Sequence, residues 1–204
     1  MRKVNQPTLE LIKKSEGLRL TAYPDPGSKN GVPWTIGYGS TKGVTKGMKI
    51  SAEEAEARLR DDLTHAENTV SRLVTMPLND NQFGALVSFV FNIGAGAFEQ
   101  STLLSVLNQG KYEAVPAQLA RWNKNDGSVM AGLTKRRAEE AKLWNTPSKQ
   151  TTFDGGGNEG IIPPEAPIIV AEPEYEPAKR FNIWPWVLGA VILAVLFVVT
   201  QVRF

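Results

Sequence analysis

The sequence predicts an α+β domain of two lobes, a small β-lobe beside a mainly helical one, followed by a flexible linker and a C-terminal transmembrane helix. Three observations carry that expectation. Glycine-punctuated apolar runs, WTIGYGS at 34–40 and the stretch 44–50, read as short strands joined by turns. The rest of the first 146 residues places its apolar side chains at helical spacing. After Trp144 that periodicity stops, and an uncharged apolar run follows at 183–202.

The elements follow in chain order. Residues 8–15 carry Leu9, Leu11 and Ile12 behind Pro7, a residue suited to a first helical turn, and Gly17 marks the end of that helix. Ser51 and Glu54 form a capping box that opens a long helix to about Leu73, with Leu59, Leu63, Ala66, Val70 and Leu73 on one face. Asn79 or Asp80 caps the next helix. Its run FGALVSFVFNIG is apolar nearly all round, as expected of the central buried helix. Ser101 caps another helix that Gly110 closes, and residues 112–122 and 134–144 complete a second half expected to be all helical. Trp122 and Trp144 are expected in the core.

From 147 to 182 the chain is rich in Pro, Gly, Glu and Thr, the composition of a linker. Roughly 30 such residues reach about 30 Å as a coil and up to about 100 Å when drawn out. The run 183–202 holds twenty residues without a charge. At about 1.5 Å per residue it covers roughly 30 Å, the thickness of a bilayer core. Trp184 and Trp186 stand where an interfacial aromatic belt would, and Lys179, Arg180 and Arg203 flank the run. Two basic residues before it and one after bias the domain weakly toward the cytoplasmic side.

Composition closes off several classes. The 204 residues are 42% hydrophobic and 22% charged, ordinary for a globular domain. A net charge of +2 is too small to argue for nucleic acid, though it suits loose attraction to an anionic polymer. The absence of cysteine excludes disulfides and thiolate metal sites. His65, the single histidine, lies among charged helical residues and reads as a solvated surface group. The start, MRKVNQPTLELIKKSEG, has no continuous apolar stretch of the kind a signal peptide needs. No metal and no cofactor are expected.

The chemistry is suggested by SEGLRLTAYPD at 15–25. Hydrolysing a glycosidic bond takes a carboxylic acid on one side of the bond and a group that places water, or attacks, on the other. Glu16 is the candidate acid, at a helix end beneath Leu18 and Leu20, whose desolvation would keep it protonated. Asp25 lies in the polar turn YPDPGS, where it should stay ionised. Most Glu and Asp residues are surface solubilisers, so the pair alone is a weak signal.

The full set of motifs is stronger. SEGLRLTAYPD, WTIGYGS, NDNQFGALVSFVFNIGAGAF, STLLSVLNQGKY and GLTKRRAEEAKLW occur in order between about residues 8 and 144. Together they resemble the phage-type lysozymes, glycoside hydrolase family 24. The resemblance implies a lysozyme-like fold over 1–146. It also implies cleavage, without a cofactor, of the β-1,4 bond between N-acetylmuramic acid and N-acetylglucosamine in peptidoglycan. Glu16 matches the family's acid, Asp25 its aspartate at the same nine-residue spacing, and Thr35 the threonine that opens TIG. The segment DPGSKNGVPWT between Asp25 and Thr35 is longer than in the T-even members, in which the aspartate and threonine hold the attacking water.

Gly37 and Gly39 are read as letting a sugar chain approach the strand closely, against the plain alternative of a tight turn. Asn92 is expected to meet substrate from the central helix, and Arg136 or Arg137 to partner Glu16 or the glycan. The expected partners are peptidoglycan strands and, through 183–202, a lipid bilayer; the domain itself is expected to be monomeric. The whole is expected to be anchored in a host inner membrane or a virion membrane and to act on the periplasmic wall, in host lysis or wall entry. Two rivals stand beside this reading: an anchored wall-binding protein with little turnover, and a tail that itself permeabilises membranes. The trio Glu16, Asp25 and Thr35 argues against the first, and a span lacking a polar face against the second.

Overall fold

The computed structural model describes residues 1–25 and 32–148. Helix α1 (Gln6–Glu16) is capped by Asn5, whose side chain accepts from the Thr8 amide, and it stops at Gly17, where φ is +73°. A hairpin follows, made of β1 (Arg19–Pro24) antiparallel to β2 (Trp34–Gly37). The long α2 (Ala52–Leu73) opens on the Ser51–Glu54 capping box that the sequence announces. Helix α3 (Asp80–Ile93), capped by Asn79, is the apolar axis of the helical lobe, and nine of its residues from Asn81 to Val90 are buried.

Two short helices come next, α4 (Ala95–Glu99) and α5 (Thr102–Asn108), the second capped by Ser101. A 3₁₀ turn at Tyr112–Ala114 leads into α6 (Val115–Ala120), and α7 (Ala131–Asn145) packs on α3 and α6. This is an α+β fold with a small β region beside a helical lobe.

Three local expectations need correction. Residues 19–24 form a strand that the sequence reading passed over, because the partner that makes them one lies ten or more residues downstream. Residues 44–50 form no strand; Lys49 makes only an isolated bridge to Thr21. The second half is not all helical, since β3 (Lys124–Asn125) and β4 (Ser128–Val129) form a small hairpin. Its turn is Asp126-Gly127, both at positive φ, a dipeptide suited to such turns.

The core joins Leu9 and Ile12 of α1, Leu59 and Leu63 of α2, and Phe83, Leu86 and Phe89 of α3 to Leu143 and Trp144 of α7. Phe89 meets Trp122 edge-on with ring centroids 5.5 Å apart. Contact between α1 and α3 is closest at Gly84. A Cβ built there would lie 1.8 Å from Thr8 Oγ1, so only glycine allows the two helices to meet. Past α7 the backbone is still held, as the Asn81 side chain donates to the Thr146 and Pro147 carbonyls and the Asp80 amide donates to Ser148 Oγ.

The expected linker beyond Ser148 and the apolar run 183–202 lie outside the described residues. Among the described residues no helix is long and apolar enough to cross a membrane.

Candidate functional site

Glu16 is the last residue of α1, and the turn at Gly17 leaves its side chain 21% exposed at the helix end. The guanidinium of Arg136, from α7, donates to it through Nη1 at 2.6 Å. Arg136 donates through Nη2 to the Ser88 carbonyl of α3 at 3.2 Å and through Nε to Glu140 Oε1 at 3.3 Å. That same Oε1 also accepts from Ser88 Oγ at 2.7 Å and from Arg137 Nη2 at 2.8 Å. Glu140 Oε2 stands 2.8 Å from Arg137 Nε as an ion pair without the alignment of a hydrogen bond. The Arg137 guanidinium also lies over the Phe89 ring, 4.8 Å from its centroid.

Helical spacing explains the local part of this cluster. Arg136 and Glu140 stand four apart on α7, and Arg137 and Glu140 three apart, so one carboxylate meets both cations. Burial pulls the Arg136 pKa down, but Glu16 and then Glu140 outweigh it and leave the guanidinium above its ordinary value. Burial wins at Arg137, which falls to about 10 despite Glu140. Both remain cations at neutral pH.

These positions correct two expectations. Leu18 and Leu20 do not cover Glu16; they are 41% and 42% exposed, and the acid's neighbour is a guanidinium rather than an apolar wall. Neither arginine offers a free face to a glycan. Arg137 is 1% exposed within the core, and all three Arg136 nitrogens are engaged by protein oxygens.

The opposite group is built on the hairpin. Tyr23 of β1 faces Thr35 of β2 in the antiparallel register, and the Asp25 amide donates to the Pro33 carbonyl at 3.3 Å. Alternation along a strand sets Tyr23 and Asp25 on one face, with Thr35 as the cross-strand neighbour of Tyr23. Asp25 is buried, which its polar turn did not announce, and Thr35 is fully buried. Thr35 Oγ1 has no hydrogen-bond partner among the described residues. Such an orphan hydroxyl is costly unless something else meets it.

Tyr23 lies within electrostatic reach of both carboxylates. Burial raises its phenol, Arg19 opposes this, and Glu16 and Asp25 both add to the rise.

The remaining candidates divide. Gly37 is buried, and a Cβ there would press on Ala55 Cβ at 3.3 Å, so its near neighbour is α2 and not an incoming sugar. Gly39 is exposed with φ of +102° and open space around its Cβ direction. Asn92 is half-buried in the last turn of α3.

Sequence reasoning missed Ser88, Glu140 and Tyr23. A serine inside GALVSFVF and a glutamate four residues after an arginine were the available signals. No group of three or more His, Asp or Glu suited to a metal ion occurs among the described residues.

Comparison with known proteins adds a family. The phage lysozyme family model matches residues 13–140. An endolysin of Acyrthosiphon pisum secondary endosymbiont phage 1 is 39% identical over 147 residues, covering 70% of this chain and 98% of that relative. An endolysin of Bacillus phage PZA is 39% identical over 162 residues, 78% of this chain. The match spans only 62% of that relative's length. Among solved structures, the muramidase domain of SpmX from Asticaccaulis excentricus superposes with a TM-score of 0.66 at 41% identity, covering 72% of this chain and 100% of that one.

Proposed function

The chain belongs to the phage lysozyme family of lysozyme-type glycoside hydrolases, which degrade peptidoglycan, and we propose that it hydrolyses the β-1,4 bond from N-acetylmuramic acid to N-acetylglucosamine with inversion. Glu16 gives its proton to the glycosidic oxygen as the bond to the anomeric carbon breaks. Asp25 and Thr35 hold a water on the opposite face; Asp25 takes its proton as the oxygen joins the anomeric carbon. Arg136 fixes the Glu16 carboxyl and steadies the carboxylate left after transfer.

One observation carries this reading. A fully buried threonine hydroxyl with no hydrogen-bond partner among the described residues sits across the hairpin from Tyr23. Proton NMR of the first product from a defined peptidoglycan fragment tests it. An α anomer with no trapped glycosyl-enzyme is expected, and a β product would remove the water-holding role from Asp25 and Thr35.

The apolar run 183–202 and its aromatic and basic flanks support a membrane tether for this hydrolase, with the linker giving it reach to the wall. Protease digestion of intact spheroplasts decides the side on which the domain is held: cleavage from outside places it in the periplasm, protection in the cytoplasm. A wall-binding protein with little turnover is the second reading, and Glu16→Gln separates the two. A hydrolase loses wall clearing while still binding wall; a binder loses nothing.

A further inference from the structure

We propose that Glu140 is a positioning residue that acts on Glu16 through Arg136, an inference that rests on Glu16 being the acid. Glu140 has no exposure to solvent, and a buried carboxylate is retained at a cost unless it is fully partnered. Its partners sit on two helices: Ser88 on α3 and both arginines on α7. Through Arg136 the chain of contacts reaches the end of a third helix, α1, at Glu16.

The charges explain why one carboxylate must stand there. Arg136 and Arg137 are consecutive, and both are buried. Glu140 meets Arg137 with both oxygens and Arg136 with one. Arg137 is thereby matched within the core, and Arg136 is left to face Glu16 through Nη1 alone. Its Nε bond to Glu140 and its Nη2 bond to the Ser88 carbonyl fix the plane of the guanidinium, and so the direction from which Glu16 is held. With Glu140 neutral, both guanidinium groups lose its charge, and the Nε contact of Arg136 falls from a charge-assisted bond to a weaker neutral one. The acid would then be drawn from its working geometry while substrate binding stays intact.

The test uses the full-length chain and soluble glycan strands, with kcat and KM measured separately. Glu140→Gln is expected to lower kcat roughly tenfold or more with KM unchanged, the signature of a misaligned catalytic group. In an Arg136→Lys background the same change is expected to cost less than about twofold, since the route to Glu16 is already broken. Losses that multiply in the two backgrounds, or a loss carried by KM, would overturn the proposal.

Should Glu140→Gln fail to fold, Arg137→Met/Glu140→Met removes both opposing buried charges together with the acceptor that anchors Arg136 at Nε. That double variant, folded, is expected to show the same fall in kcat; wild-type kcat there overturns the proposal. Glu16→Gln is assayed alongside. Activity in Glu16→Gln would sink the acid assignment itself, whereas a dead Glu16→Gln beside a fully active Glu140→Gln sinks only the positioning role.

Discussion

The two sides of the site differ in what surrounds their polar groups: paired charges on the helical side, a lone neutral hydroxyl on the hairpin side. On the helical side the atoms that reach Glu16 are tied by charge: Arg136 is held by three oxygens and Glu140 Oε1 by three donors. Arg137 Nε and Glu140 Oε2 have only their ion pair, and Arg137 Nη1 has no hydrogen bond among the described residues. On the hairpin side Thr35 is fully buried with its hydroxyl unmatched by any described residue. The difference fits the proposed roles. A proton donor must be aimed, which a network of paired charges does. A group that is to hold something else must keep a valence open, at a cost to stability.

The largest effect should follow from Glu16→Gln, with wall-clearing activity falling on the order of a thousandfold, the weight of a general acid. An acid in a desolvated apolar site would be removed without harm to the fold. The ion pair reverses that expectation. Losing the charge on the partner of a buried arginine should cost about 1–3 kcal/mol, seen as a lower Tm in calorimetry. An unchanged Tm would mean that the Glu16–Arg136 pair adds nothing to the fold.

Thr35→Val should do the opposite on the other side. Activity is expected to drop on the order of a hundredfold, while Tm rises, because an unmatched buried hydroxyl worth about 1 kcal/mol is gone. A fall in Tm would show that the hydroxyl is already satisfied.

Gly84→Ala strikes the helical side away from its charges. The new methyl group meets Thr8 Oγ1 and Cβ, forcing α1 from α3 at a cost of about 1–3 kcal/mol. For a domain of this size each kcal/mol lowers Tm by roughly 2–4 °C. Activity should fall with it, as α1 carries Glu16 away from Arg136.

Glu56→Gln gives the smallest effect. Hydrogen bonds from Arg60 first, then Lys13, hold the Glu56 carboxyl below its ordinary value and tie α1 to α2. For a carboxylate with a lowered folded value, the stabilisation is present above the unfolded value, about 4.3, and is lost as pH falls through the folded one. The variant should therefore melt slightly earlier at pH 7. That difference should shrink to nothing in acid; a difference that persists there would deny the ion pair its role.

Much of the scaffold was legible because its signals are local. A helix start depends on a cap and the residue three beyond it, and Asn79, Ser51 and Ser101 cap where their side chains said they would. Apolar spacing gave the buried faces of α1, α2 and α3 for the same reason. The strand β1 was not legible, since a run such as RLTAYP becomes a strand only when another segment pairs with it. The exposed Leu18, just before the strand, and Leu20 within it misled in the same way, because such leucines do not say which way the chain will turn them.

By itself the sequence determined the capped starts of the helices at 52, 80 and 102, the absence of thiol chemistry, the uncharged run at 183–202 and the order of motifs that names the family. Each of these is a property of residues within a turn or two of one another, or of composition alone. Only the tertiary structure decided that Asp25 is buried, that Arg136 rather than Arg137 holds Glu16, and that Glu140 stands behind both. Glu16 and Arg136 are 120 positions apart, and Ser88 lies between them in sequence, so no local pattern records that they meet. Their pairing follows from how α1, α3 and α7 pack, and that packing is fixed by burial of side chains such as Leu9, Phe89 and Leu143 that carry no chemistry of their own.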